Sequence, residues 1–60
     1  MSQVYNPEAD VIAEIERLEI EARSIRRRVE HVHNQEDRRV LNRQLQELKD
    51  QVQYLKSRLP

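Results

Sequence analysis

The sequence predicts an all-α chain: a two-helix antiparallel hairpin with a coiled-coil seam, dimerising into a four-helix bundle. Three observations predict it. First, Val11, Ile15, Leu18, Ala22, Ile25, Val29 and Val32 step by four and three without a break, and so do Leu41, Leu45, Leu48, Val52, Leu55 and Leu59. That spacing is the heptad seam of a coiled coil. Second, the two seams mirror each other about Gln35, pairing Val29 with Leu41, Ile25 with Leu45, Ala22 with Leu48, Leu18 with Val52, Ile15 with Leu55 and Val11 with Leu59. Third, the 60 residues include no Gly, Cys, Phe or Trp, and 37% of them are charged. Such a composition belongs to long helices with polar outer faces rather than to a compact mixed fold.

Residues 1–6 show no period and read as an arm. At Asn6-Pro7-Glu8 a helix start is written three times over. The Asn side chain can accept from unpaired N–H groups, Pro suits the first helical position, and Glu8 and Asp10 face the positive end of the dipole. Helix 1 is therefore expected over about 7–32.

The two seams are out of phase, since Val32 to Leu41 is nine residues. One continuous helix with a single heptad repeat would place Glu36, Arg39 and Arg43 in its core, so the chain should bend instead. The rival architecture, an open helix pairing between chains, would make a rod of roughly 75 Å from about fifty residues at 1.5 Å each. The bend is expected over about 33–37, with helix 2 following over about 38–59. No Gly or Pro marks it; Asn34 stands in, as a residue that tolerates a left-handed backbone and can cap the next helix, with Asp37 three residues on in capping-box spacing. A short connection makes the two helices antiparallel neighbours. Across the seam, Glu14 should then meet Arg58, Glu19 meet Lys49, Glu21 meet Gln51, Arg26 meet Asn42 and Arg28 meet Gln44. Ala22 against Leu48 should mark the closest approach.

One 60-residue unit built this way is a single small hairpin domain, and a two-helix contact leaves its seam partly wet. Self-association is the expected remedy, with Ala9, Ile12, Ala13 and Ile20, together with Val4, Tyr5, Val40 and Tyr54, as apolar candidates outside the seam. Without cysteine there is no disulfide or thiolate metal site to help. No apolar run reaches the length of a membrane span and no secretory signal is legible, so a cytoplasmic protein without membrane contact is expected.

Charge is segregated along the chain. Up to Ala22, six acids (Glu8, Asp10, Glu14, Glu16, Glu19, Glu21) face only Arg17, a net of minus five; from Arg23 to Arg43, seven arginines face Glu30, Glu36 and Asp37, a net of plus four. The turn end should be basic and the open end acidic, with overall net charge zero. Arg23, Arg27, Arg28, Arg38, Arg39 and Arg43 are the candidate contacts for a partner or for nucleic acid, because a planar fork of donors suits phosphates and carboxylates. The competing reading is a solvated face braced by intrahelical pairs such as Arg26 with Glu30, and no aromatic residue sits in the patch to stack on bases.

His31 and His33, two residues apart, fall on different faces of a helix, so no metal site is expected. Neither a nucleophile beside a base nor a glycine-rich phosphate loop is legible, and two slim helices enclose no substrate; no catalysis and no cofactor are expected. Gln46-Glu47-Leu48 resembles part of the signature of the small aspartyl-phosphate phosphatases of sporulation phosphorelays. In that family a serine precedes and an aspartate follows, where this chain has Leu45 and Lys49. The predicted architecture is also similar to that of the plasmid repressor-of-primer proteins, dimeric hairpins that bind RNA; that likeness is of fold alone. The expected function is a small structural or adaptor protein that self-associates and binds a protein partner through its helix faces. The alternative is a nucleic-acid-binding regulator using the arginine-rich turn end.

Overall fold

The computed structural model describes residues 7–60, so the arm, the expected Asn6 cap and the contacts expected of Val4 and Tyr5 lie outside the described residues. Two helices, α1 (Pro7–His31) and α2 (Gln35–Ser57), pack against each other as an antiparallel hairpin joined by residues 32–34. At 25 residues, α1 is about 37 Å long at 1.5 Å per residue. Pro7 is its first helical residue, with Glu8 and Asp10 in the first turn and Arg28 and His31 in the last. Each charge thus sits at the end of the dipole that favours it.

The seams meet as one apolar strip. Ile15, Leu18, Ala22 and Ile25 of α1 are buried with Leu41, Leu48 and Val52 of α2; Val11, Val29, Val32, Leu45, Leu55 and Leu59 pack against them half-buried. Ala22 is the most completely covered of these, 4% exposed, as a small residue must be where two backbones come close. No polar or charged residue is buried among the described residues, so the seam carries no desolvation cost from an unpaired group. Among the same residues no helix is long and apolar enough to cross a membrane.

The bend lies where the phase change demands it but is tighter than the sequence suggests. Helix 2 was expected from about residue 38; α2 instead begins at Gln35, so Gln35, Glu36 and Asp37 are its first turn and not part of the connection. The reason is Asn34. Its side-chain oxygen accepts from the backbone N–H of Glu36 at 2.8 Å and of Asp37 at 3.4 Å, and its carbonyl accepts from the N–H of Arg38 at 3.0 Å. This is a complete N-cap, and it draws the two acids into the helix end whose positive charge suits them.

Asn34 leaves helical geometry through the extended region and not the left-handed one it would tolerate: its φ and ψ are −79° and 127°, and no described residue has positive φ. A chain reversal without glycine is achieved by other means. Val32 N–H donates to the Val29 carbonyl at 3.4 Å, tightening the end of α1 into an i to i+3 turn, and the Arg38 guanidinium donates to the Val32 carbonyl at 2.8 Å. Carbonyls orphaned at the end of α1 are therefore met from within the loop and from α2.

Candidate interaction surfaces

With the seam closed, the surfaces that the described residues offer are the two flanks beside it and the outer helix faces. On one flank, shallow open grooves run between the helices. One is lined by Glu14, Arg17, Leu18, Gln51, Tyr54 and Leu55, the next by Glu21, Ile25, Gln44, Glu47, Leu48 and Gln51, and the one nearest the bend by Arg28, Val32, Asp37, Val40, Leu41 and Gln44. Glu21 beside Gln51 and Arg28 beside Gln44 agree with the antiparallel register read from sequence. Acids dominate this flank.

Two cations on or beside this flank, Arg17 and Arg58, are held by near neighbours. Arg17 forms ion pairs with Glu14, to which it also donates a hydrogen bond, and with Glu21 at 3.8 Å. The hydrogen bond to Glu14 raises the Arg17 pKa above its usual value, reinforced by the charges of Glu14 and Glu21 and opposed by slight desolvation. Arg58, expected to meet Glu14, lies instead over the Tyr54 ring, 5.9 Å from its centroid. Partners one turn away on the same helix are already aligned, and they take both members of the expected cross-helix pair.

The opposite flank is defined by Lys56, which reaches Glu19 across the seam at 3.5 Å. Glu19 was expected to meet Lys49. Helical side chains lean toward their own N-terminus, so in an antiparallel pair Glu19 leans toward the open end while lysines of α2 lean toward the bend. Lys56 leans into Glu19 and Lys49 leans away from it. Helical periodicity puts Arg26 on this same flank, with Arg23 and Arg39 just outside it. Basic residues thus gather on one long side of the hairpin as well as toward one end.

Every arginine expected as a contact is exposed, but the fold does not bring them into one patch. Arg38 is committed to the Val32 carbonyl and braces the loop. Arg28 belongs to the groove nearest the bend, with Asp37. Arg23 and Arg27 share the outer face of α1, and Arg39 and Arg43 lie on α2. Among the described residues Arg23, Arg26, Arg27, Arg28, Arg39 and Arg43 have no hydrogen bond, ion pair or ring contact, so the expected brace between Arg26 and Glu30 is not formed.

Polarity along the rod survives in weaker form, because α2 and its C-cap residue carry Lys49, Lys56 and Arg58 against Glu47 and Asp50 back toward the acidic end. The open-end half is minus four rather than minus five. His31 ends α1 and His33 sits in the connection, and no group of three potential metal ligands converges among the described residues. Arg26 stands outside the arginines expected as contacts. Its signal was present: with Glu19 seven residues before it, it marks a flank position that changes sign along one helix.

Among the described residues four large apolar side chains remain exposed outside the strip: Ile12, Ile20, Val40 and Tyr54, the last 62% exposed. Val40 and Tyr54 belong to the grooved flank, and Ile20 to the outer face of α1. Compared with models of protein families, with curated proteins and with solved structures, the chain matches none.

Proposed function

We propose that the chain is a small structural or adaptor protein of the cytoplasm, without catalytic activity, that self-associates and binds a protein partner through its helix faces. The observation that carries this is the division of labour among its apolar residues. The seam is used up inside the hairpin, while Val40 and Tyr54 stand at the two ends of the grooved flank, fourteen residues or about 21 Å apart along α2. A row of shallow grooves between apolar ends accommodates a further helix, as helix-in-groove recognition does. Open grooves of this kind do not surround a small substrate.

Sedimentation equilibrium of the full chain tests self-association: the mass should rise above 7.3 kDa with concentration, and a monomer throughout would overturn it. Photo-crosslinking in the host cell tests the protein partner. A crosslinker at Tyr54 should capture one defined protein that the same group at Gln53, on the outer face, does not; equal capture at both would count against the grooved flank.

A second reading is favoured by the six free arginines. A polyanion such as RNA or DNA would bind them with strong salt dependence. Loss of that binding in a variant carrying Arg27→Ala, Arg39→Ala and Arg43→Ala would support it, and no binding at low salt would remove it. Arg38 is left intact in that variant because it holds the loop.

A further inference from the structure

On the outer face of α1, Ala13, Glu16, Ile20, Arg23, Arg27 and Glu30 follow at steps of three and four, so they form one straight stripe on the side turned away from α2. Glu19 and Arg26 run beside it. All are exposed except Glu19, which is half-buried against Lys56; Ile20 stands 60% exposed in the middle. Between residues 16 and 27 the sign changes once, from acids at Glu16 and Glu19 to arginines at 23, 26 and 27, and Glu30 lies beyond them. A face whose charge reverses along its axis is complementary to itself when run in the opposite direction.

We propose that this face pairs with the same face of a second copy, α1 against α1 and antiparallel, about a two-fold axis passing between residues 21 and 22. This rests on the self-association reading and gives it a geometry. Glu16 then meets Arg27 of the second copy and Glu19 meets its Arg26. Ile20 lies on the aliphatic stem of its Arg23, and Ala13 faces its Glu30. By symmetry each contact occurs twice. Lys56, Glu19 and the second copy's Arg26 form a chain of alternating charge.

Charge also selects this register over its neighbours. Sliding one heptad in one direction sets Glu19 against Glu19 and Arg17 against Arg17. Sliding the other way sets Arg26 against Arg26 and Arg23 against Arg27. Only the register about 21 and 22 brings no like charges face to face. Arg26 and Arg27, which lack partners within one hairpin, find them in the second. The assembly is a flat layer ordered α2, α1, α1, α2, not a bundle around a shared core, because the positions flanking the seam, Ile12 apart, are polar on both sides. Its attraction is chiefly between exposed charges, so it weakens as salt is added.

The test uses the full chain in three forms: wild type, Glu16→Arg with Glu19→Arg, and Arg26→Glu with Arg27→Glu. The first variant makes positions 16, 19, 26 and 27 all basic and the second makes them all acidic. Circular dichroism monitors the fold of each. By sedimentation equilibrium at low salt the wild type should dimerise, and each variant alone should dimerise at least about tenfold more weakly, through lost and reversed pairs. An equimolar mixture of the two variants should recover wild-type affinity as a heterodimer. Self-association of the variants at wild-type strength, or no association in the mixture, would overturn this geometry while leaving self-association through another face. A wild type that stays monomeric would overturn both.

Discussion

The guanidinium of Arg38 donates to the backbone carbonyl of Val32 at 2.8 Å, tying the first turn of α2 to the end of α1. An arginine among seven in the turn-end half is thus a structural part. The Arg38→Ala substitution should destabilise the hairpin by about 0.5–1.5 kcal/mol, the net value of a typical hydrogen bond, since the site is exposed. Denaturant unfolding measures the loss, and amide exchange at His33 should quicken in the same variant. An unchanged midpoint would show that the loop holds without it.

Asn34 is the second device in the loop, and its substitutions separate capping from backbone freedom. Asn34→Ala should cost about 1 kcal/mol through loss of the bonds to Glu36 and Asp37. Asn34→Asp should be nearly neutral. Asn34→Gly should lose stability rather than gain it, because the site sits at φ −79° and has no use for left-handed freedom. A more stable Gly variant in thermal unfolding would contradict that backbone assignment.

Ala22 tests the close approach of the helices. Ala22→Leu inserts side chain at a position only 4% exposed and should cost about 1–3 kcal/mol by overpacking. The opposite change, Leu48→Ala, should cost about 2–3 kcal/mol, at the low end for core leucines because one hairpin covers it thinly. Equilibrium unfolding under conditions that keep the chain monomeric distinguishes these values from any effect on assembly.

Lys56 and Lys49 test side-chain direction. A double-mutant cycle between Glu19 and Lys56 should give a coupling of about 0.2–1 kcal/mol, fading with salt, whereas the cycle between Glu19 and Lys49 should give none. The reverse result would require the lysines of α2 to lean toward the open end.

Spacing alone carried the large features. The nine-residue interval from Val32 to Leu41 located the bend, and steps of three and four located each residue that now lines the strip. Physical reasons account for what was misread. Glu36 and Asp37 look like loop residues until Asn34 is known to cap, after which their charge assigns them to the helix. Glu19 chose Lys56 because side-chain lean, invisible in a list of positions, outweighs axial nearness. The role of Arg38 depends on the path of a loop whose carbonyl it meets. The candidate surfaces were legible as composition but not as arrangement, since only the paired helices show that Arg27 and Arg43 lie on opposite outer faces of the hairpin.

The connection between the helices has a consequence for how little separates this hairpin from another shape. None of its residues holds a backbone conformation reserved for glycine, so the bend is enforced by the Asn34 cap and by the interval between the seams. Deleting His33 and Asn34 together would remove that cap and return Val32 and Leu41 to a seven-residue spacing. The two apolar runs would then merge into one stripe on an uninterrupted helix of roughly 70 Å. A protein of this length would be converted from a folded-back clasp to a straight dimerising rod by the loss of two residues, a change that small-angle scattering would register as a large rise in radius of gyration.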